Sequence, residues 1–78
     1  MGAKQGCQPS MEIPVVINGE PRSIPAGETV LGLLQRLNLD PARVAVELDR
    51  RIVKQPRWGE TRVNAGARIE IVQFVGGG

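Results

Sequence analysis

The chain has 78 residues, which allows one domain whose core is too small to enclose a large active site. The ten Lys and Arg and the eight Asp and Glu give a formal net charge of +2. A nucleic-acid partner is not expected, because the charge is mixed and only two aromatic residues are available to stack on bases. One Cys and no His exclude an internal disulfide and argue against zinc and haem sites, and no segment is apolar for long enough to span a membrane.

Residues 1–10 differ from the rest of the chain because they are small and polar and show no hydrophobic period. We expect a disordered lead or an expression remnant here, followed by one domain over residues 11–75. The lead has no apolar stretch, so a secretory signal peptide is not expected. Cys7 lies in this lead and is interpreted as an incidental exposed thiol, since the segment offers nothing that would activate it.

Two strands joined by a tight turn are the first predicted elements. Residues 11–17 are rich in β-branched side chains and predict a strand, in which Pro14 must lie at a bulge or where its missing N–H faces outward. Asn18-Gly19 is a strong signal for a two-residue hairpin turn because both positions tolerate positive φ. Residues 20–25 then predict a short strand whose two prolines favour the edge of a sheet.

A short amphipathic helix is the clearest local prediction. Thr29 is a suitable N-cap, and apolar residues follow at helical spacing on one face: Val30, Leu33, Leu34 and Leu37. Gly32 lowers helix propensity by about 1 kcal/mol relative to Ala, which suggests close packing against a neighbour. The helix is expected to end over residues 38–41, because Pro41 disfavours helical geometry in the residue before it.

The remaining predicted elements are a strand at 44–48, a turn at 49–51, a short strand at 52–53, a loop at 54–59 around Trp58, and a last strand at 68–74. In the last strand Ile69 and Ile71 point to the core and Val72 to the opposite face. Asp49-Arg50-Arg51 is interpreted as a solvated turn rather than an anion site. The order predicts an α+β fold in which one main helix packs across one face of a mixed sheet of four to five strands.

No arrangement of residues typical of an enzyme is found in the sequence. There is no Gly-rich phosphate loop, nucleophile elbow or metal-ligand spacing. Ser and Thr total four, and no His is available to activate them. We therefore predict no catalytic residue, no bound metal and no bound cofactor.

Three consecutive glycines, Gly76, Gly77 and Gly78, follow the last predicted strand directly. A frayed tail or cloning scar is one interpretation; the other is a flexible reactive tail, thin enough to enter a narrow slot because glycine has no Cβ. The α-carboxylate of Gly78 would need activation, and adenylation with ATP by a partner enzyme supplies AMP as leaving group. A sulfur nucleophile would then leave a thiocarboxylate, whereas an amine or thiol would give an amide or ester linkage.

Several segments together resemble the ThiS-type sulfur carriers of thiamin biosynthesis. The helix and the residues before it, 26–37, resemble that family's Gly-x-Thr-Val-x-x-Leu-Leu pattern. The other similar segments are Asn18-Gly19-Glu20, Val44 to Asp49, Arg51-Ile52-Val53 with Trp58, and Gly66 to Val72 before the terminal glycines. The resemblance covers residues 11–78.

This resemblance implies a cytoplasmic protein with a ubiquitin-like β-grasp fold that acts as a protein co-substrate and not as an enzyme. It implies three partners: an adenylyltransferase of the ubiquitin-activating type that uses ATP, a cysteine desulfurase route that supplies sulfur, and a thiazole synthase that accepts it. Gly77-Gly78 correspond to the family's reactive terminus, with adenylation and the thiocarboxylate at Gly78. Gly76 is a third glycine where the family motif requires two, which lengthens the flexible reach.

Partner contact is a separate hypothesis, which places Val72, Phe74 and Val75 against the activating enzyme. Core packing is the alternative for Phe74. Other functions also stay open: a sulfur carrier for molybdopterin or cysteine synthesis, a ubiquitin-like protein modifier, or a β-grasp interaction or RNA-binding module. Nothing in the sequence requires more than a monomer.

Overall fold

The computed structural model describes residues 11–74. The lead predicted at 1–10, Val75 and the glycine tail 76–78 lie outside the described residues. The strands are β1 (Glu12–Ile17), β2 (Glu20–Pro25), β3 (Val44–Leu48), β4 (Arg51–Val53) and β5 (Arg68–Gln73), and the α-helix is α1 (Val30–Arg36). Two 3₁₀ helices, Pro41–Arg43 and Gln55–Glu60, lie in the connections.

The five strands form one mixed sheet in the order β2-β1-β5-β3-β4. β1 and β5 are parallel, and the other neighbouring strands are antiparallel. The last strand therefore lies at the centre of the sheet, and β2 and β4 form its edges. This confirms the predicted mixed sheet crossed by one helix and the predicted edge position of residues 20–25.

The first hairpin follows the turn chemistry of its sequence. Asn18 and Gly19 have φ values of 51° and 82°, as a two-residue hairpin turn requires. Pro14 lies in a strand with neighbours on both sides. Because Val16 N–H donates to Ala67 O (2.9 Å) on the β5 side, the nitrogen of Pro14 points to that side too, ahead of the first residue of β5. The missing N–H therefore removes no ladder bond.

Helix α1 begins at its predicted cap, where Thr29 Oγ1 accepts a hydrogen bond from Gly32 N–H (3.0 Å). The residues it buries are Val30, Leu33 and Leu34, while Leu37 is the half-buried C-cap. Asn38 follows with φ 59° and turns the chain away from the helix axis. Within residues 11–74, no helix combines the length and the apolar composition needed to cross a membrane.

The close neighbour of Gly32 is a side chain from just before the helix, and not another element of the fold. A Cβ at this position would lie 2.8 Å from Glu28 Oε1. Glu28 Oε2 in turn accepts a hydrogen bond from Arg36 Nε at 2.8 Å. The missing side chain therefore leaves room for the Glu28 carboxylate, whose ion pair with Arg36 links the residues before α1 to its last residue.

Trp58 fills the core between α1 and the β4 edge of the sheet. The loop predicted at 54–59 is largely the 3₁₀ helix Gln55–Glu60, and it buries this side chain to 3% exposure. Trp58 Nε1 donates a hydrogen bond to Val53 O at 2.7 Å. The rest of the core comes from both sides of the sheet–helix interface: Val15, Ile17, Ile24, Val30, Leu33, Leu34, Val44, Val46, Val63, Ala67 and Ile69.

The turn between β3 and β4 is shorter than predicted, because Arg51 already pairs with Leu48 and belongs to β4. Asp49 and Arg50 form the two-residue turn, with φ values of 51° and 71°. Asp49 Oδ1 accepts a hydrogen bond from Arg68 N–H (2.9 Å), and Asp49 N–H donates to Arg68 O (2.8 Å). The turn is therefore hydrogen-bonded to the start of β5. The left-handed backbone conformation of Arg50 costs free energy, because its Cβ is crowded there.

Replacing Arg50 by glycine is expected to stabilise the protein by about 1 kcal/mol, because glycine adopts this positive φ without a Cβ penalty and Asp-Gly favours the turn. Urea unfolding followed by Trp58 fluorescence measures the change. The matched control is Arg51→Gly, the same substitution one residue later in extended strand, which is expected to destabilise. An Arg50→Gly variant no more stable than the wild type would contradict the argument.

Candidate partner-binding face

β5 carries the chain from the centre of the sheet to Phe74, the last described residue. Its side chains alternate: Ile69 and Ile71 lie against the core, and Glu70 and Val72 lie on the opposite, exposed face. This confirms the predicted orientation of Ile69, Ile71 and Val72. Phe74 lies just beyond the strand, so β5 ends one residue before its predicted end.

The sheet face opposite the helix exposes large apolar side chains near the point where β5 ends. Ile52, Val72 and Phe74 are 72%, 58% and 55% exposed. Ala45 pairs directly with Val72 across β3 and β5, and it borders the same shallow depressions as Ile52, Val72 and Phe74. We call these four residues the apolar patch. Exposed apolar side chains gathered in one place mark interaction surfaces more often than scattered ones do.

The exposure of Phe74 shows that the core-packing alternative for this residue is wrong. Phe74 N–H donates to Arg43 O at 2.7 Å, which holds its backbone against β3 while the ring stays largely in solvent. The contact of Val72 and Phe74 with a partner stays a prediction. The third residue of that hypothesis, Val75, lies outside the described residues.

Ile52 is a member of the apolar patch that sequence reasoning missed. The predicted strand at 52–53 had two residues, so alternation could not assign it a face. The signal was in the turn: once Asp49 and Arg50 are its only residues, Ile52 pairs with Glu47, which alternates with the buried Val46. Ile52 must then lie on the exposed face.

Two carboxylates border the apolar patch. Glu47 on β3 and Glu70 on β5 are direct cross-strand partners, and both are exposed. Like charges opposite each other weaken strand pairing, and neither makes an ion pair within residues 11–74. Lys54 borders the same shallow depression as Phe74. The face is therefore apolar at its centre and charged at its rim, as protein-binding surfaces commonly are.

The predicted reactive residue, Gly78, and the tail residues Gly76 and Gly77 lie outside the described residues, so their relation to the apolar patch is one of chain distance only. Gly78 is four residues after Phe74. Four extended residues span at most about 14 Å. A partner that covers the apolar patch would therefore hold its own active site within about this distance of Phe74 if it reacts with Gly78.

The sequence of this chain is similar to the sequences of known proteins. The family model of the ThiS family matches residues 15–78. The sulfur carrier protein ThiS of Escherichia coli is 30% identical over 64 residues, which cover 82% of this chain and 97% of that protein. A thiazole synthase of Paramagnetospirillum magneticum is 45% identical over 64 residues, 82% of this chain, but this chain spans only 20% of that protein's length.

The fold is also similar to a solved structure. The crystal structure of the thiamine biosynthesis protein ThiS from Geobacter metallireducens aligns with a TM-score of 0.74 and 28% identity, covering 85% of this chain and all of that one. The likeness confirms the ubiquitin-like β-grasp fold that the sequence resemblance implied.

Proposed function

This chain belongs to the ThiS family, and on that premise we propose that it is a sulfur carrier protein of thiamin biosynthesis, charged and discharged by partner enzymes in the cytoplasm. The observation that carries the proposal is the extent of the family match, which runs through residue 78 and so includes Gly76 to Gly78. The apolar patch supports it, because it lies where β5 leads toward those glycines.

The chemistry requires no catalytic residue of this chain. One oxygen of the Gly78 carboxylate attacks the α-phosphorus of ATP, pyrophosphate leaves, and an acyl-adenylate forms. A sulfide equivalent from a cysteine desulfurase route then attacks the carbonyl carbon, the bond to the AMP oxygen breaks, and a terminal thiocarboxylate remains. Glycine suits this terminus because no side chain hinders approach to the carbonyl carbon.

Thiazole synthase is the proposed acceptor of the sulfur. Its support is the 45% identity between this chain and one fifth of a protein that carries that name. This likeness and the one to the sulfur carrier ThiS of E. coli favour the thiazole role over molybdopterin synthesis, cysteine synthesis or protein modification. The exposed face has an apolar centre with both Glu47 and Glu70 and the basic Lys54 around it. This mixed charge does not favour an RNA-binding role, which would need a basic surface.

The adenylyltransferase that activates Gly78 is the proposed partner of the apolar patch. Val72 is exposed on β5, Phe74 is exposed just after it on the way to the tail, and Ile52 widens the surface across β3 to β4. A partner bound here covers apolar area that is otherwise in water, and fixes the start of the tail relative to its own active site.

Intact mass spectrometry tests the proposed function. The chain is incubated with an adenylyltransferase of the ubiquitin-activating type, ATP and a sulfur donor. The mass is expected to rise by the difference between one sulfur and one oxygen atom, and only when ATP is present. The Cys7→Ser variant is expected to gain the same mass. A chain that gains no mass, or gains it only with Cys7 intact, would contradict the proposal.

Phe74→Ala is expected to raise the KM of the activating enzyme for this chain by about tenfold, since exposed aromatic anchors contribute about 1–2 kcal/mol to such interfaces. The melting temperature is expected to stay nearly unchanged because the ring is not in the core. The matched control is Met11→Ala, which removes a side chain that is 71% exposed at the other end of the sheet. Equal effects of the two substitutions on KM would argue against the patch as the binding surface.

A further inference from the structure

We propose that Asn18 is a positioning residue for the reaction at Gly78. Its side chain holds the end of β5 in place. When that side chain is removed, the rate of sulfur addition to Gly78 falls even at a saturating concentration of the adenylyltransferase. This inference rests on the proposed function and adds to it a residue far from the tail in sequence. The structural basis is the way in which the pairing of β1 with β5 ends.

The parallel pairing of β1 with β5 stops because the chain turns at Asn18. Val16 N–H donates to Ala67 O (2.9 Å), and Asn18 N–H donates to Ile69 O (2.8 Å). In a continued parallel ladder, the carbonyl of residue 18 would accept from Ile71 N–H, and the amide of residue 20 would donate to Ile71 O. Asn18 instead has φ 51°, and the chain reverses into β2.

The side chain of Asn18 makes both of these hydrogen bonds in place of the backbone. Its Oδ1 accepts from Ile71 N–H at 2.7 Å, and its Nδ2 donates to Ile71 O at 3.2 Å. The side-chain amide thus stands in for a peptide group and extends the ladder by one step. Glycine or aspartate would also fit the turn, but only an amide supplies both the acceptor and the donor.

The other edge of β5 is held by β3. Val44 pairs with Gln73, and Phe74 N–H donates to Arg43 O at 2.7 Å. Without the Asn18 side chain, the segment from Glu70 to Phe74 would be attached to the sheet on this edge alone. That segment carries Val72 and Phe74 and leads to the tail, so its position sets where the tail starts.

The consequence for the reaction is a loss of rate rather than a loss of docking. β5 stays paired with β3 along its whole length when the Asn18 side chain is removed, so Val72 and Phe74 remain in the apolar patch beside Ala45 and Ile52 and the partner can still bind. With its end held on the β3 edge alone, β5 would place Gly78 less accurately, and a displacement of about 1 Å from the reactive geometry can cost up to about 100-fold in rate. Asn18 and Phe74 should therefore affect different kinetic constants.

The test compares Asn18→Gly with Asn38→Gly. Both positions have positive φ, 51° and 59°, so glycine keeps each backbone conformation and removes only the side chain. The Asn38 side chain makes no hydrogen bond within residues 11–74, which makes it a matched control. Single-turnover mass gain is measured at saturating adenylyltransferase with ATP and a sulfur donor, and amide hydrogen exchange is measured at Ile71 and in β3.

Asn18→Gly is expected to lower the saturating rate about tenfold, with KM within about twofold of the wild type, and to speed amide exchange at Ile71 about tenfold with little change in β3. Asn38→Gly is expected to change neither the rate nor the amide exchange.

Asn18→Asp is the second variant. It keeps the acceptor for Ile71 N–H but loses the donor to Ile71 O, so it too should lower the rate. Wild-type rates in both Asn18 variants, or an equal loss in Asn38→Gly, would overturn the positioning role and leave the proposed function standing. A wild-type chain that gains no mass would overturn both.

Discussion

A chain that ends at Gly77 is expected to gain no sulfur when it is incubated with the adenylyltransferase, ATP and a sulfur donor. Removing Gly78 leaves a glycine carboxylate, so the chemistry of the terminus is unchanged. Its distance from the apolar patch is shortened by one residue, up to about 3.5 Å. Because the partner's active site is fixed relative to the surface it binds, a displacement of this size removes the near-attack geometry.

The control for this deletion is a chain that lacks residues 2–10, which also changes length but keeps the distance from Phe74 to Gly78. It is expected to be charged like the full chain, because the family match begins only at residue 15. Affinity for the adenylyltransferase is measured in parallel and should be the same for all three chains. Full charging of the chain that ends at Gly77 would show that Gly78 is not the required reacting residue.

Trp58→Ala is expected to unfold most of the protein at 25 °C. Removing a buried Trp or Phe side chain typically costs about 3–5 kcal/mol, and a domain of this size has a total free energy of unfolding of similar magnitude. Trp58 is 3% exposed and belongs to the same core as Leu33 and Leu34 of α1. Its loss would leave a cavity between the helix and the β4 edge of the sheet.

Far-ultraviolet circular dichroism and urea titration measure this effect, since the variant lacks the chain's single Trp as a fluorescent probe. Trp58→Phe is the matched variant, because it keeps most of the apolar volume and removes the donor to Val53 O. It is expected to stay folded with a loss of about 1–3 kcal/mol. Cooperative unfolding of Trp58→Ala at the urea concentration that unfolds the wild type would contradict the assigned core role.

Features set by neighbouring residues were predictable from the sequence. Thr29 caps the helix by accepting a hydrogen bond from the backbone N–H of Gly32, three residues later. Asn18-Gly19 makes a turn because of the φ values that these two residues tolerate. The presence of a close neighbour at Gly32 was also predictable, but not that the neighbour is Glu28. That contact depends on a side-chain rotamer stabilised by Arg36, which a propensity argument does not include.

Features set by strand order could not be predicted in the same way. Strand alternation puts Phe74 on the same face as Val72, yet whether anything covers that face depends on which elements pack there. Trp58 lies in a segment without hydrophobic period, and its burial follows from the position of the 3₁₀ helix against α1. The role argued for Asn18 needs residues 18 and 71 to be neighbours, which only the parallel pairing of β1 with β5 provides.

The central position of β5 has a consequence for biosynthesis. The strand that completes the sheet is made last among the described elements, so a nascent chain on the ribosome has a gap between β1 and β3 until Gln73 has been translated. The sheet can therefore close only after this last described strand has been made. Chains truncated before β5 would lack a closed sheet, so they would be open to proteolysis.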